Sequence, residues 1–371
     1  MNFDLSDEQK MLKGEVARLL AEQAPYKHLR ELITAGADWD RSLWLTMAGM
    51  GFLGAAIPEA YGGQGLGEVE LCVLAEEFGR AVAPIPFFSS ICLAAEAIQL
   101  AGSEAQKTRW LPALAAGEVV GCFAHNEGRG AAGDRLEATV SQGRVSGVKW
   151  PVSDAGVAGL AVVVAKDGGR TVLGLVDLAK ADVARSRLTG FDQLRPHYRL
   201  EFADAPFEAL AEADAEPTLS ALYDRAAARI AFEQIGGAEA CLWMARDYAM
   251  ERRTFGRVLA SYQAVKHNLA NILVYCELAR SNAYLAAWTL EGNPGRFPVA
   301  AATARISATK AYEIAARENL QTHGGIGYTW DANCHFHYRR ARLLALNIGR
   351  EEIWADRLID GLLKTEAALA A

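Results

Sequence analysis

The chain has 371 residues, of which 51% are hydrophobic and 22% charged, and its formal net charge is -7. This composition excludes a largely disordered chain, and the acidic charge disfavours nucleic-acid binding, which needs a basic face. The six cysteines lie far apart without a CxxC pair, so we predict a reducing compartment and no metal site. Because the N-terminus lacks the features of a signal peptide and the most apolar window, residues 81–100, is broken by two prolines, we expect a cytoplasmic protein without a membrane span.

The first third of the chain has a helical pattern. Ser6, followed by Gln9, is typical of a helix start, and Val16 and Leu20 then fall on one face. The pattern continues through residues 44–53, is interrupted by a glycine-rich loop at residues 58–65, and returns at residues 67–80 and 91–101.

The hydrophobic period changes near Val119. Gln142 and Gly143 indicate a hairpin turn, and residues 160–165 are expected to pair with residues 171–176 across Asp167-Gly168-Gly169. Valine-rich runs with glycine turns continue to about Phe202, which predicts a small antiparallel β domain. The acidic, alanine-rich stretch 207–217 has the composition of a linker.

Helical periodicity then resumes and continues to the end of the chain. Apolar residues recur at helical spacing between Val265 and Ala283, and residues 297–320 and 352–368 carry similar faces. We therefore predict an α+β fold with an N-terminal helical domain (1–118), a β-barrel-like domain (119–212) and a C-terminal helical bundle (213–371), which offers a subunit interface.

Residues 250–271 join two of these helical patterns through a turn at Gly256. Arg252, Thr254 and Gln263 are placed where they can hold a polar ligand, since a guanidinium donates charge-assisted hydrogen bonds to phosphate and the other two groups add directional bonds. The alternative interpretation is a helix end whose arginine and threonine are only solvated.

Several motifs in this order resemble the acyl-CoA dehydrogenase family over nearly the whole chain. Those motifs are Pro58-Glu59-Ala60-Tyr61-Gly62-Gly63, Asn126-Glu127-Gly128, Lys149-Trp150, Glu251-Arg252-Arg253-Thr254-Phe255-Gly256 with Gln263, and Gln321-Thr322-His323-Gly324-Gly325-Ile326-Gly327-Tyr328.

The resemblance implies an FAD site at residues 251–263. Arg252 and Thr254 would contact the FAD pyrophosphate, Phe255 would pack on the cofactor, and Gln263 would bond its adenosine half. Gln321, Gly324 and Gly325 would act from a neighbouring subunit, where glycines let backbone N–H groups approach a diphosphate. An ordinary helix-ending turn is the alternative for the glycine segment.

The resemblance also places the β domain over the isoalloxazine ring, with Trp150 beside it. The sequence departs from the family here: residues 126–134 shorten the usual Thr-Glu-Pro-Gly-Ala-Gly-Ser-Asp run, and Trp150-Pro151-Val152 replaces Trp-Ile-Thr. A hydrogen bond to flavin would then come from backbone or from Ser153. The form Pro151-Val152-Ser153-Asp154-Ala155 is similar to a bacterial branch that degrades steroid side chains and other bulky acyl-CoA thioesters.

The reaction implied by the resemblance removes the α proton of an acyl-CoA and transfers a β hydride to flavin, giving a trans-2-enoyl-CoA. It needs a carboxylate base, because a proton beside a thioester is only weakly acidic. If Gly349 is matched to the glycine of the family's Tyr-Glu-Gly-Thr turn, Asn347 and Ile348 occupy the Tyr and Glu positions. The usual base is therefore absent.

Some relatives carry the base on the first helix of the C-terminal bundle, where the matching residue is Ala226. Asp224 lies within a turn of it and Glu233 two turns further along, so these are the candidate catalytic carboxylates. For each, a structural role is the favoured alternative, and for Glu233 this is the polar edge of the helix. Glu351 and Glu352 are expected to be acids in the first turn of a helix.

Two polar clusters near the C-terminus suggest structural roles. Cys334, His335 and His337 have a spacing that suits no closed metal site, so solvated or interface histidines are expected. Arg339, Arg340 and Arg342 are expected on a solvated helix face, with subunit or CoA-phosphate contact as the alternative.

Three functions remain open at this point. The first is an FAD-dependent acyl-CoA dehydrogenase that passes electrons to electron-transfer flavoprotein, as a homo-oligomer. The second is a base-less structural subunit of an α2β2 heterotetramer whose partner chain supplies the carboxylate. The third is an FAD-dependent oxidase or monooxygenase on the same fold.

Overall fold

The computed structural model describes residues 5–128, 135–210 and 215–370, with side chains described to residue 364. The helices are α1 Asp7–Gln23, α2 Tyr26–Thr34, α3 Arg41–Gly49, α4 Glu68–Arg80, α5 Glu96–Ala101, α6 Glu104–Ala115, α7 Glu216–Glu251, α8 Gln263–Gly292, α9 Phe297–His323, α10 Cys334–Leu346 and α11 Glu351–Ala370. The strands are β1 Gly121–Ala124, β2 Thr139–Ser141, β3 Arg144–Ser153, β4 Leu160–Asp167, β5 Arg170–Asp177, β6 Val183–Arg187, β7 His197–Pro206, β8 Glu208–Ala209, β9 Arg253–Thr254 and β10 Arg257–Val258. The predicted α+β class is confirmed.

The described residues divide into two compact units. The helical unit contains residues 5–26, 68–83 and 227–370, and the sheet unit contains 27–67, 84–128, 135–210 and 215–226. The division falls within α7.

Several local predictions are confirmed. The side chain of Ser6 accepts a hydrogen bond from the backbone N–H of Gln9 and the Gln9 side chain accepts one in return from the Ser6 backbone, which is a complete capping box at the start of α1. Glu351 and Glu352 lie in the first turn of α11. The helix predicted at residues 91–101 is wider and less regular, since a π-helix at Phe88–Ala95 precedes α5.

The sheet unit contains an eight-stranded sheet in the order β6-β7-β3-β2-β4-β5-β8, with β1 paired to β4. Both predicted hairpins form, and at the β2–β3 turn Gln142 and Gly143 have φ of 51° and 72°, as a two-residue turn with matching twist requires. The expectation of a wholly antiparallel sheet is wrong in detail, because β1 and β2 both pair with β4 in parallel. Periodicity reports which face of a strand is buried, whereas the direction of its partner depends on the connections.

The predicted linker at residues 207–217 is also wrong at both ends. Glu208 and Ala209 form β8, which pairs with β5, and α7 already begins at Glu216. Residues 211–214, in the middle of this acidic and alanine-rich stretch, lie outside the described residues. Edge pairing through the backbone needs no hydrophobic pattern, so the composition gave no sign of β8.

In the helical unit, α4 and α7 cross at a very short distance. A Cβ on Gly79 would lie 1.9 Å from the carbonyl oxygen of Glu233, and one on Gly236 would lie 1.8 Å from that of Glu76. Only glycine permits this approach at either position. The crossing fixes the position of Glu233 on α7.

His337 on α10 is fully buried in the helical unit, so the expectation of a solvated or interface histidine is wrong for this residue. Its Nε2 lies 2.7 Å from the Tyr26 hydroxyl and its Nδ1 lies 3.0 Å from the Tyr312 hydroxyl. Burial, with a smaller contribution from Arg340, lowers the pKa of His337 from 6.5 to about 3. The imidazole is therefore neutral at pH 7 and is part of the core.

This shift predicts how stability depends on pH. Because the folded-state pKa is depressed, the contribution of neutral His337 is fully present above the unfolded pKa of about 6.5 and is lost as pH falls towards 3, at about 1.4 kcal/mol per pH unit. The variant His337→Gln keeps hydrogen-bonding groups but does not titrate. Urea unfolding between pH 4 and 7 should therefore show the advantage of the wild type over this variant shrinking as pH falls, and parallel curves would contradict the prediction.

All six cysteines are buried free thiols. Among the described residues, no helix has the length and apolarity needed to cross a membrane.

Candidate cofactor and catalytic site

The segment that follows α7 is a β-hairpin with a two-residue turn. Thr254 pairs with Arg257 across the turn, and the turn residues Phe255 and Gly256 have φ of 51° and 80°. A non-glycine residue in this left-handed region is uncommon, and the Phe255 side chain is 93% exposed. The predicted turn at Gly256 thus presents an aromatic ring to its surroundings.

The polar residues predicted to bind phosphate lie around this hairpin. Arg252 and Arg253 are exposed and have no carboxylate partner in the described parts of the chain. The Thr254 carbonyl accepts a hydrogen bond from the Tyr262 hydroxyl at 2.9 Å, which holds the hairpin against the start of α8. Gln263 is the first residue of α8 and is exposed. Uncompensated guanidinium groups beside an exposed aromatic ring fit a ligand that combines a diphosphate with planar rings.

The second glycine segment ends α9, in the same unit as the hairpin. Gly324 has φ of 61°, and no heavy atom lies within 4 Å of a Cβ built on Gly324 or Gly325. The ring of His323 stacks on Tyr248 with centroids 4.2 Å apart, and the Tyr248 carbonyl accepts a bond from the Arg252 backbone N–H. The open backbone at Gly324 and Gly325 fits the close approach of a phosphate group.

In the sheet unit, Trp150 is half-buried on β3, at an irregularity in the pairing of β3 with β7. Its backbone N–H donates to the Asn126 carbonyl and its carbonyl accepts from the Gly128 N–H, both at 2.8 Å. Residues 129–134, which complete the shortened family run, lie outside the described residues. The backbone bonds therefore fix Trp150 against the start of that run.

Ser153, the predicted side-chain donor to flavin, has a partner on β7. Its hydroxyl lies 3.0 Å from Nε2 of His197, whose pKa burial lowers to about 4. A neutral imidazole nitrogen is a good acceptor for this hydroxyl. The Ser153 side chain is thus already engaged within the sheet unit.

A buried ion pair that the sequence did not indicate lies next to Trp150. The Lys149 ammonium is fully buried and donates to a carboxylate oxygen of Glu127 and to the His125 carbonyl. Burial lowers the pKa of Lys149 and the Glu127 carboxylate opposes that shift. Glu127 also accepts from the backbone N–H of Glu137 and Ala138, so it ties the segment before Trp150 to the start of β2.

The turn to which the resemblance assigns the usual base holds Asn347, Ile348 and Gly349. Ile348 has φ of 55°, a strained conformation for a β-branched residue. Its carbonyl accepts a hydrogen bond from Trp354 Nε1 at 3.2 Å. No carboxylate occupies this position.

Arg305 on α9 organises this turn and was not anticipated from the sequence. It is buried, and one guanidinium nitrogen donates to the carbonyls of Leu344, Ala345, Asn347 and Gly349 at 2.6–3.4 Å. The other terminal nitrogen donates to Gln234 and Thr309, and burial lowers the pKa of the group to about 9. A charged residue directly after the alanine-rich run 300–304 was the only sequence signal for it.

Glu233, one of the two candidate bases, is only 4% exposed, so the favoured expectation of a polar helix edge is wrong. Its carboxylate lies 3.3 Å from the Arg340 guanidinium, which is fully buried. Arg340 thus supplies this buried carboxylate with a charged partner inside the helical unit. Asp224, the other candidate, is buried on α7 in the sheet unit. Ala226 is buried as well and offers no carboxylate.

Arg340 contradicts the expectation that residues 339–342 lie on a solvated face. The expectation holds for Arg342, which is 58% exposed and pairs with Glu313, and Arg339 lies over the Trp330 ring. Arg340 shares a helical face with the buried residues Phe336, His337, Ala341 and Leu344. That spacing was the signal that could have shown its burial. No group of His, Cys, Asp and Glu among the described residues can hold a metal ion.

Two models of known protein families match most of the chain. The acyl-CoA dehydrogenase N-terminal domain matches residues 6–118 and the acyl-CoA dehydrogenase C-terminal domain matches residues 219–363. The chain belongs to the acyl-CoA dehydrogenase family, a family of flavoprotein oxidoreductases, as the sequence motifs predicted.

Particular relatives resemble the chain over nearly its full length. The acyl-CoA dehydrogenase IpdE2 of Mycobacterium tuberculosis is 29% identical over 90% of this chain and 91% of its own. The structure of a variant of the Tcur3481-Tcur3483 steroid ACAD is 30% identical, with a TM-score of 0.89 and coverage of 97% of this chain and 99% of that one. A chain of the ChsE4-ChsE5 complex from Mycobacterium tuberculosis is 26% identical, with a TM-score of 0.89 and coverage of 98% and 99%.

Proposed function

We propose that this chain binds FAD and takes part in the α,β-dehydrogenation of an acyl-CoA thioester to a trans-2-enoyl-CoA. The observation that carries the proposal is the hairpin at residues 252–258, where Arg252 and Arg253 are exposed, have no carboxylate partner among the described residues, and adjoin a 93% exposed phenylalanine. Arg252 and Thr254 hold the pyrophosphate, Phe255 packs on the cofactor and Gln263 bonds the adenosine half. Gln321, Gly324 and Gly325 act from a neighbouring subunit.

The flavin ring is assigned to the neighbourhood of Trp150. FAD supplies the hydride acceptor for the substrate's β carbon. Because the Ser153 hydroxyl is engaged by His197, a hydrogen bond to the ring from this region comes more readily from backbone than from that side chain. Lys149 and Glu127 keep the segment before Trp150 in place.

The acyl group is proposed to be bulky or steroid-derived, and the electron acceptor to be electron-transfer flavoprotein. Support for the substrate comes from the 30% identity to a steroid ACAD over almost the whole chain. Oligomerisation is supported by exposed apolar side chains on α8, among them Leu273, Val274 and Leu278.

A second candidate is the structural subunit of a heterotetramer. It is favoured by the two base positions, which hold Ile348 and Ala226, and by the arginine that pairs with Glu233. In this role the chain contributes part of an FAD site and a partner chain contributes the carboxylate. The similarity to a chain of the ChsE4-ChsE5 complex, a two-component assembly, also supports it.

The absorption spectrum and subunit composition of the purified protein test these functions together. The first candidate predicts a yellow protein whose flavin is bleached anaerobically by a matching acyl-CoA in a panel. The second predicts co-purification with a dehydrogenase-like chain and no bleaching by this chain alone. A colourless protein that does not take up added FAD would overturn both, and rapid peroxide formation in air would indicate an oxidase.

Arg252→Ala is expected to weaken FAD binding about 10- to 100-fold, because a hydrogen bond to a charged group contributes about 1.5–3 kcal/mol. FAD titration of the apoprotein, followed by flavin absorbance, measures the effect. Arg296→Ala is a matched control, since it removes an exposed arginine from the turn before α9. Equal FAD affinity in the two variants would remove Arg252 from the cofactor site.

A further inference from the structure

One face of β1 carries an aromatic and polar cluster that the functions above do not use. Cys122 and Ala124 point into the core, while Phe123 and His125 lie on the opposite face with Tyr223 of α7. The three ring centroids are 5.9–6.1 Å apart, and His125 Nδ1 lies 2.6 Å from the Tyr223 hydroxyl. All three residues belong to the sheet unit.

The His125 ring is neutral and has one nitrogen, Nε2, that can hydrogen bond to a ligand. Burial, followed by the positive charge of Lys149, lowers its pKa to about 4, so the ring is neutral at pH 7. A neutral imidazole has one donor and one acceptor nitrogen. Nδ1 is engaged by Tyr223, and Nε2 has no protein partner in the described parts of the chain. The ring is thus oriented through one nitrogen and can bond a ligand through the other.

The cluster is connected through its chain neighbours to two positions that the proposed function assigns to the reaction. His125 directly precedes Asn126, whose carbonyl accepts the Trp150 backbone N–H, and the His125 carbonyl accepts a bond from Lys149. Tyr223 lies one helical turn before Ala226, the alternative base position. The pair is therefore held to the strand that carries Trp150 and to the helix that carries Ala226.

We propose that His125, oriented by Tyr223, determines the specificity for the acyl group by hydrogen bonding through Nε2 to an oxygen on the acyl chain beyond the reacting carbons. The ligand class is an acyl-CoA with a hydroxyl or keto oxygen, and the inference rests on the proposed function. A plain alkyl chain packed against His125 would desolvate Nε2 without replacing its hydrogen bond. A site built around such groups rejects the analogue that lacks the oxygen.

Matched ligands that exchange one methyl for one hydroxyl test this inference. The FAD-loaded protein is titrated calorimetrically with 4-hydroxybutanoyl-CoA against pentanoyl-CoA, and with 5-hydroxypentanoyl-CoA against hexanoyl-CoA. In at least one pair the hydroxylated ligand should bind about 10-fold more tightly, since a hydrogen bond gained without loss elsewhere contributes about 1.4 kcal/mol. Binding is measured rather than turnover, so the result does not depend on which chain supplies the base.

Variants then assign the effect to the pair. In His125→Leu, the ratio of affinities for the hydroxylated and the alkyl ligand should fall to about 1 or below. Tyr223→Phe should weaken the preference for the hydroxylated ligand, and His125→Gln should retain part of it through its amide. Tyr61→Phe is the matched control, because it removes only the hydrogen bond to Glu104 in the same unit. If His125→Leu does not fold, the wild-type ratio and Tyr223→Phe still decide the result.

The outcomes separate this inference from the function on which it rests. Equal affinity within both ligand pairs in the wild type, or a preference unchanged in Tyr223→Phe and His125→Gln, would overturn the assigned specificity alone. Failure of the FAD-loaded protein to bind any of the four thioesters would overturn the acyl-CoA function as well.

Discussion

Replacement of Arg340 by methionine is expected to lower the free energy of unfolding by about 3–5 kcal/mol, the usual cost of breaking a buried ion pair on one side. The guanidinium is fully buried and faces the Glu233 carboxylate, which is 4% exposed. Methionine fills similar volume, so the effect comes from the carboxylate that is left buried beside a neutral group. Urea unfolding at pH 7 measures it.

Arg342→Met is the matched control for this prediction. It lies on the same helix, but its pair with Glu313 is exposed, so the loss should stay below about 1 kcal/mol. The double variant Arg340→Met, Glu233→Gln should recover part of the stability, because it removes the charge as well as its partner. Equal losses of unfolding free energy in the two single methionine variants would show that the buried pair contributes no more to stability than the exposed pair.

The same pair bears on whether Glu233 is the catalytic base. If it is, Glu233→Gln abolishes flavin bleaching while the FAD content stays unchanged. If its role is to pair with Arg340, the variant loses stability and keeps whatever bleaching the wild type shows. Measuring unfolding and bleaching on one preparation separates the two roles.

A carboxylate placed at Ile348 is expected to increase substrate-dependent flavin bleaching at least about 100-fold, because a positioned general base contributes about 10²–10⁴-fold. The Arg305 guanidinium donates to four backbone carbonyls in and just before the turn, and Trp354 donates to the Ile348 carbonyl. These bonds hold the backbone of the turn, so its conformation does not depend on the side chain at residue 348. Ile348→Glu also removes a β-branched residue from positive φ, where it is strained. Anaerobic stopped-flow absorbance with a panel of acyl-CoA thioesters measures the rate.

Ile348→Gln is the control, since it has nearly the same size as glutamate and cannot accept the proton. A silent wild type with an active Ile348→Glu variant would mean that this chain lacks only the base, which favours the heteromeric role. A wild type that already bleaches would place the base within the chain. Rates that are equal for glutamate and glutamine would exclude the turn as a catalytic position.

The sequence predicted those features that depend only on residues adjacent in the chain. The Phe255-Gly256 turn, the Gln142-Gly143 hairpin and the Ser6 cap follow from residue types at adjacent positions, and the structure confirms all three. The family likewise follows from motifs that are each short and continuous. Aligning those motifs with the family is also enough to predict that Ile348 and Ala226, which are not carboxylates, occupy the two base positions.

The limits of the sequence appear at residues whose partners are distant in the chain. Arg340 and Glu233 are 107 positions apart, and Arg305 lies 39–44 positions from the carbonyls it binds. Helical spacing shows which residues share a face, but whether that face meets water or another helix depends on tertiary packing. This is why Arg340 was expected on a solvated face and His337 in solvent or at an interface, whereas both are buried in the core.

By itself, then, the sequence determined the family and the likeness of residues 251–263 to a flavin-binding segment, because both follow from contiguous residues. The missing customary base is a prediction from the register of the same motifs. Only the tertiary structure decided that Glu233 is paired with a buried arginine, that Arg305 sets the turn at Ile348, and that His125 meets Tyr223. Those three arrangements join residues that are far apart along the chain, and burial alone gives their charges and hydrogen bonds their strength.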